Sequence, residues 1–434
     1  MAGGLNKRYK KGERPEDIDR ALKKEKVREW LHEQLFIAFV EARCAKRGTA
    51  DEHMFELNAL ENIHQLLEDI LNRAYKPSRG IAFVIKIPVV REIFAAPFRD
   101  RLVHHFLFNM TAEWWDRRFI HTSSSCRKGK GTLFAVQQLE KQVQAITQNY
   151  KRKAYVIKLD IQGYFMSLPR RKLYERILWG LNQQFPEHGE VYKLCRYLWR
   201  EIIFDDPTKD VKRRGSRADW YLLESLKKSL FAQPRGRGIV IGNLSSQLLS
   251  NIYLDQLDHY VMEELGYKYY GRYVDDFYIL VTEEEYKQAL IDVEAIERFL
   301  ELLGLTLHPK KRYIQPVSHG IPFLGAVVYP GRKVPARRIK NNFYKTFYRL
   351  KTGKPVDLAS LVSYMGHLEH LDSIRLKQKV FAMVGLKYEP QRTYNPDAFR
   401  GQLIQHGLLK ADSPGCDGRS RREKEQLPGN TANS

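Results

Sequence analysis

The chain has 434 residues and a net charge of +22, with 43% hydrophobic and 12% aromatic residues. That length points to two or three subdomains around a filled core, and so large a cationic excess points to a polyanion such as nucleic acid or, at the least, to a soluble basic surface. Cys44, Cys126, Cys195 and Cys416 are far apart and no apolar run reaches ~18 residues, which argues against a disulfide scaffold, a zinc module and a membrane span and favours a reducing, cytoplasmic setting.

Residues 1–75 are mixed in charge and helical in pattern. Leu31, Leu35, Ile37 and Phe39 mark one helix, and Leu60, Ile63, Leu66, Leu67, Ile70 and Leu71 recur at i, i+3, i+4 in a second, ended by Lys76-Pro77-Ser78-Arg79-Gly80. A strand is expected over 81–88, including Lys86. From Arg91 to Arg101 cations recur between apolar residues, as on a surface that grips phosphates. The Ser/Lys/Gly loop 123–132, with Arg127 in it, offers backbone N–H groups and charge to a phosphate; without the P-loop spacing it reads equally as an ordinary basic loop.

Over 154–165, Tyr155, Ile157, Leu159 and Ile161 alternate with Val156, Lys158 and Asp160, so a strand buries one face and shows Lys158 and Asp160 on the other. Taken alone, Asp160 is a solvated strand-end carboxylate. Asp205-Asp206-Pro207 reads as a turn and 212–217 as a flexible basic loop. Gly236 to Asn243 leads into a helix capped by Asn243, with Leu244, Leu248, Ile252, Leu257 and Val261 as its buried stripe. Ser245, Ser246 and Gln247 near its start serve either as caps or as anion ligands.

Lys268-Tyr269-Tyr270 and Phe277 to Val281 flank Asp275-Asp276, which predicts a hairpin with both aspartates at its tip. A tip without Gly is a poor turn choice, and adjacent like charges repel, so a divalent metal is the expected reason for the pair. An amphipathic helix follows over 286–303, then Lys310-Lys311, then a turn and strand over 320–328. Residues 337–351 interleave cations with aromatics, Lys345 and Arg349 among them, in a helix suited to a nucleic-acid backbone. Asp357 caps another helix with Leu358, Leu361, Val362, Met365 and Leu368 inside, and the polar tail from about 411 is expected to be disordered. The succession β-αβ-β-α-β suits an antiparallel sheet with helices on one face and a cleft on the other. Carboxylates gathered there repel, at roughly 4 kcal/mol for a pair ~4 Å apart, and two Mg²⁺ ions turn that repulsion into binding.

Tyr273-Val274-Asp275-Asp276 together with Asp160-Ile161-Gln162-Gly163-Tyr164-Phe165 resembles the palm of a reverse transcriptase, and the order of motifs agrees over about residues 75–370. The resemblance implies an α+β right-hand polymerase: an N-terminal helical extension (1–75), fingers (76–153 and 180–235), an antiparallel-sheet palm with helices on one face (154–179 and 236–330), a helical thumb (331–410) and a disordered tail (411–434). It implies RNA-directed DNA synthesis with two Mg²⁺, which Mn²⁺ can replace, held by Asp160, Ile161, Asp275 and Asp276, with Ile161 also at the substrate. Lys311 or Lys310 would protonate pyrophosphate. Arg91 and Lys86 would contact the triphosphate, though many relatives have Pro-Lys where this chain has Pro88-Val89. Phe165 would be the steric gate against a 2′-hydroxyl, and Ile241, Gly242, Gln247 and Tyr273 would line the nucleotide site. Arg127, the Phe323-Leu324-Gly325 primer-grip turn, Lys345 and Arg349 would meet primer and template. Most bacterial relatives carry Gln-Gly-x-x-x-Ser-Pro where this chain has Ile241-Gly242-Asn243-Leu244-Ser245-Ser246-Gln247, a form that resembles the error-prone enzymes of diversity-generating retroelements, which work with a structured RNA and a small basic accessory protein in bacteria or phage. A phage-defence or retron-like enzyme with a non-coding RNA is the alternative, and a non-catalytic RNA-binding scaffold the reading of a different class.

Overall fold

The computed structural model describes residues 24–44, 48–86, 89–226, 229–389 and 395–408. The expectations for the start of the N-terminal extension, for Pro88 and for the tail fall outside these residues. None of the described helices is long and apolar enough to cross a membrane.

The chain opens on α1 (Lys24–Cys44), α2 (Ala50–Leu57) and α3 (Ala59–Leu71), in which Leu31, Leu35, Phe39, Ile63, Leu66, Leu67 and Ile70 are buried. Leu60, in the first turn of α3, is 68% exposed and does not belong to the stripe. The expected strand is β1 (Gly80–Ile85), which pairs antiparallel with β2 (Arg91–Ala95), Ile85 opposite Arg91. Helix α4 (Phe98–Arg118) buries Phe98, Leu102, Phe106, Met110 and Trp115. The cations between these apolar residues are tied down: Arg99 pairs with Asp69 at 2.7 Å, and the Arg101 Nε donates to the Ala96 carbonyl at 2.9 Å.

After α5 (Thr132–Ile146), β3 (Ala154–Asp160) leads through the short α6 (Tyr164–Ser167) into α7 (Arg170–Gln184) and α8 (Glu190–Phe204). Asp205-Asp206-Pro207 is a turn, as its sequence indicates, with the Thr208 hydroxyl donating to Asp206 at 2.6 Å. The basic stretch expected as a flexible loop is instead a strand, β4 (Val211–Arg214), parallel to β1 in a sheet of order β2-β1-β4. The reason is cation–π packing: the Arg213 guanidinium lies 3.7 Å from the Phe231 ring centroid and 5.1 Å from that of Trp220, so its charge covers an apolar cluster rather than repelling its neighbours. Helix α9 (Arg217–Ser225) follows, capped by the Ser216 hydroxyl.

Helix α10 (Leu244–His259) has Asn243 at its N-cap without a side-chain cap bond. The Asn243 carboxamide instead accepts the Ala96 N–H (3.4 Å). Ser245 and Ser246 are buried, and Ser245 bonds His104 at 2.8 Å, so these hydroxyls face the core rather than a solvent anion; Gln247 is exposed. The hairpin is β5 (Tyr270–Tyr273) and β6 (Asp276–Thr282), followed by α11 (Tyr286–Leu302) and β7 (Tyr313–Pro316); β5-β6-β3-β7 is the order of this sheet.

Two compact units divide the chain. The first, spanning Met1–Gly131, Ile157–Ile279 and Glu285–Tyr313, contains all the acidic motifs. The second contains β8 (Ile321–Phe323), β9 (Ala326–Tyr329) and β10 (Arg332–Pro335) in a three-stranded antiparallel sheet. Beyond them lie α12 (Arg337–Lys351), α13 (Leu358–Glu369), α14 (Ile374–Met383) and α15 (Pro396–Gln405), which share a core of Phe343, Phe347, Leu361, Met365, Leu368, Phe381 and Leu403.

Candidate active site

β5 and β6 pair with Tyr273 opposite Asp276, so the two-residue turn is Val274-Asp275 and Asp276 is already the first residue of β6. This corrects the expected Asp275-Asp276 tip by one residue. Val274 takes φ +58°, a left-handed conformation that for a β-branched residue costs on the order of 1–3 kcal/mol. What holds it is the 122–125 segment, whose serines turn inward. The Arg272 N–H donates to the Thr122 carbonyl (3.1 Å), the Ser124 N–H to the Arg272 carbonyl (3.0 Å), and the Val274 N–H to the Ser125 hydroxyl (3.1 Å). The loop read as a phosphate cradle is thus, over Ser123 to Ser125, a buried brace. Arg127 belongs to the same brace: its side chain is 6% exposed and its guanidinium donates to Asp116 and to the Ile120 and Ser123 carbonyls, so it is engaged within the protein rather than extended toward a phosphate.

Asp160 ends β3 on the face it shares with Lys158. The Ile161 N–H donates to the Asp275 carbonyl at 3.2 Å, which ties the strand end to the turn, while the Ile161 side chain is fully buried. Segment 306–308 runs alongside, with the His308 N–H on the Asp160 carbonyl (2.8 Å), and brings the Lys311 ammonium to 2.7 Å from Asp160. Lys158 reaches across to Asp276 at 2.9 Å. Among the described residues no three His, Cys, Asp or Glu side chains form a ready metal cage; two lysines offset the anionic charge instead. The Oδ1 of Asp276 is nevertheless buried without a hydrogen-bond partner. Burial and the Asp160 charge push Asp275 up to about 6, and burial raises Asp276 against the pull of Lys158. An orphaned carboxylate oxygen and an anion excess left after two lysines fit a site made for divalent cations, with oxygen donors of the kind Mg²⁺ takes.

These energetics make a prediction. An unfolded aspartate titrates near 3.9, so with Asp275 at about 6 the folded state binds the proton more tightly, and stability falls as pH rises through roughly 4 to 6. Above that window the ionised group costs on the order of 1–3 kcal/mol. In EDTA near neutral pH, Asp275→Asn is expected to melt a few degrees above the wild type, and Mg²⁺ to stabilise the wild type more than the variant. Equal melting of the two proteins without metal would remove the strained-carboxylate account.

Of the residues expected to line a nucleotide site, Ile241, Gly242 and Phe165 pack near β1 and β2. The Phe94 N–H donates to the Ile241 carbonyl at 2.8 Å, and Gly242, at φ +130°, lies so close that a Cβ would stand 2.5 Å from the Phe94 oxygen. Ile241 and Phe165, both half-buried, pack on one apolar cluster with Phe94, Met166, Trp220, Leu230 and Phe231. Arg91, at the start of β2, is exposed; Lys86 is ion-paired with Asp219 at 2.9 Å. Tyr273 is half-buried, and burial raises its hydroxyl pKa.

In the second unit, Phe323 pairs with Ala326, so Leu324 (φ +48°) and Gly325 (φ +88°) form a two-residue turn with both φ positive, the type that matches strand twist. Lys345 and Arg349, one turn apart on α12, are both exposed, and Arg349 donates to the Pro355 carbonyl at 2.8 Å. Sequence reading missed Arg272, Asp258, Asn251, Ser123 and Ser125 around the hairpin. The one available signal was a lone arginine inside an apolar strand.

The profile of a family described as reverse transcriptase (RNA-dependent DNA polymerase) matches residues 91–328, more than half of the chain. No curated protein sequence matches the chain. Among solved structures, telomerase from Candida albicans, in complex with a TWJ fragment of telomeric RNA, is similar at 13% identity and a TM-score of 0.42, over 82% of this chain and 62% of that one. The chain therefore spans less than two thirds of that protein.

Proposed function

Since the chain belongs to the reverse transcriptase (RNA-dependent DNA polymerase) family, we propose that it copies an RNA template into cDNA at a centre formed by Asp160, Asp275 and Asp276. The observation that supports this most directly is the orphaned, buried Asp276 oxygen at the start of β6, next to β3 with Asp160 at its end, together with the raised Asp275 carboxyl in the adjoining turn. The three carboxylates and the Ile161 backbone would hold two Mg²⁺, with Mn²⁺ able to substitute. When bound, such ions lower the pKa of a primer 3′-hydroxyl and neutralise charge on the triphosphate. Lys311, more than half exposed and paired with Asp160, would give a proton to the leaving pyrophosphate. Arg91, with Lys86 released from Asp219, would face the triphosphate. Residues 76–153 and 180–235 would act as fingers, 154–179 and 236–330 as palm, and 331–410 as thumb. The Phe323-Leu324-Gly325 turn, Lys345 and Arg349 would meet primer and template.

Primer extension tests this: the purified chain with primed RNA, dNTPs and Mg²⁺ should yield templated cDNA. Failure on every RNA, including a cognate structured RNA with a basic accessory protein, would favour a non-catalytic RNA-binding scaffold.

We further infer an error-prone enzyme of the diversity-generating type, working in the bacterial or phage-infected cytoplasm. Support comes from Ile241, whose carbonyl is fixed by Phe94 and whose side chain offers apolar surface without an amide. Ile241→Gln is expected to lower misincorporation opposite template adenine about tenfold, the worth of roughly one net hydrogen bond. An unchanged error spectrum in sequenced products would remove Ile241 from base selection. Near-identical repeats differing at adenines beside the gene would favour diversification, and an adjacent effector gene or structured RNA would favour defence.

A further inference from the structure

Behind the catalytic turn lies a fully buried polar frame that the polymerase reading does not use. The Arg272 and Asp258 side chains are both 0% exposed. All five guanidinium N–H groups have acceptors. Nε and Nη2 fork onto Asp258 at 2.7 and 2.6 Å, Nη2 also reaches the Ser123 hydroxyl at 3.1 Å, and Nη1 reaches the Val274 carbonyl at 3.0 Å and Asn251 Oδ1 at 3.3 Å. Tyr270 donates to Asp258 at 2.7 Å. Ser125 donates to Asn251 Oδ1 at 3.1 Å while its oxygen accepts the Val274 N–H, and Asn251 returns a bond to the Ser125 carbonyl at 2.8 Å.

Both backbone polar groups of Val274, the residue with the left-handed φ, therefore end in this frame. The next carbonyl, that of Asp275, accepts the Ile161 N–H. A turn without glycine needs its conformation imposed from outside, and here every imposing atom is buried and satisfied.

We propose that Arg272, locked by Asp258, and Ser125, locked by Asn251, are positioning residues: they clamp both polar groups of Val274 and so fix the direction in which Asp275 presents its carboxylate to the catalytic centre. The inference rests on the polymerase reading for what Asp275 does. A buried ion pair alone does not account for the arrangement, because such pairs can often be replaced by apolar residues of like volume without loss of stability. What the fork adds is direction. Two of its edges hold Asp258, and a third holds the turn. Lysine would keep the charge but not the planar fork, and so could not hold Asp258, Ser123 and Val274 together.

The test uses Ser125→Ala, which leaves the Arg272–Asp258 pair intact, and Arg272→Lys. Measurements are kcat per active site by single-turnover extension, KM for dNTP, melting temperature, and Mn²⁺ affinity of the free protein by electron paramagnetic resonance. The expected results are a fall in kcat of about 10-fold for Ser125→Ala and about 100-fold for Arg272→Lys, little change in KM, and weaker Mn²⁺ binding in the same order. Lower melting temperatures with kcat and Mn²⁺ affinity unchanged would overturn the proposal and leave a purely structural frame. If Arg272→Lys does not fold, Ser125→Ala decides alone. A wild type that extends no primer, while the variants still bind Mn²⁺ more weakly than it does, would refute the polymerase reading and leave the clamp standing.

Discussion

Asp275→Ala is expected to lower dNTP incorporation on a primed RNA by at least about 10³-fold, with primer–template affinity close to wild type. Of the three carboxylates, Asp160 and Asp276 each have a lysine within 2.9 Å, whereas burial and the Asp160 and Asp276 charges raise Asp275 against the weaker pull of Lys311. It is thus the group of the three whose ionisation is most strongly opposed without a cation. In the proposed two-ion reading, removing it would take away a donor and part of the charge that draws the second ion. Asp205 is an internal control: burial also pushes it up to about 6, but it lies in the turn after α8 beside the Arg170 guanidinium, outside the Asp160, Asp275 and Asp276 group. Asp205→Asn should alter melting and leave incorporation per folded molecule nearly unchanged. Incorporation that survives Asp275→Ala would withdraw the metal-ligand role from the hairpin. A matching loss in Asp205→Asn would show that the assay follows folding rather than chemistry.

The parts of this fold that were legible in the sequence are those whose cause is local. The alternation around Asp160 marked the strand and its Lys158/Asp160 face, although Val156, expected on that face, is buried. The i, i+3, i+4 spacings marked helices that bury Ile63, Leu66, Leu67 and Ile70, Leu248, Ile252 and Leu257, and Leu358, Leu361, Met365 and Leu368, but not Leu60, Leu244 or Val362. The pair of aspartates between apolar runs marked the hairpin. What stayed hidden depends on partners outside the local pattern, more than a hundred residues away for Ser125 and Ser245. The turn is Val274-Asp275 because Ser125 and Arg272 impose a left-handed Val274, against the local preference for Gly, and no local pattern encodes Ser125. Arg213 sits in a strand because Trp220 and Phe231 accept its guanidinium face, whereas charge alone indicated a loop. Ser245 looked like a helix-terminus ligand until His104 claimed it. In each case a polar residue found a buried partner that only the tertiary fold supplies.

Phe165→Ala is expected to reduce the preference for dNTPs over NTPs by about 10²-fold, chiefly through faster ribonucleotide insertion. A pocket discriminates against an added hydroxyl only if something rigid occupies the space the hydroxyl needs, so the case rests on how the ring is held. Gly163, at φ +55°, turns the chain shortly after β3 and starts α6, and the Phe165 carbonyl accepts the Ile239 N–H at 2.8 Å. The Tyr164 ring, itself fully buried with its hydroxyl on the Ser250 carbonyl, stands edge-on to Phe165 with centroids 5.4 Å apart. Ile241 packs on the same cluster, so the residue expected to exclude the 2′-hydroxyl and the residue expected to relax base selection share one apolar wall. The wall also limits what the test costs: a half-buried ring removed from it should destabilise by less than the ~3–5 kcal/mol of a fully buried Phe→Ala change, so the variant should remain folded. Phe165→Tyr keeps the ring and should keep the discrimination, which separates loss of bulk from disturbance of α6. Competition between dNTP and NTP in single-nucleotide insertion, read for wild type, Phe165→Ala and Phe165→Tyr, gives the ratio directly. A folded Phe165→Ala enzyme with the wild-type ratio would mean that another residue limits the pocket at the sugar, and the shared wall would then serve only to support Ile241.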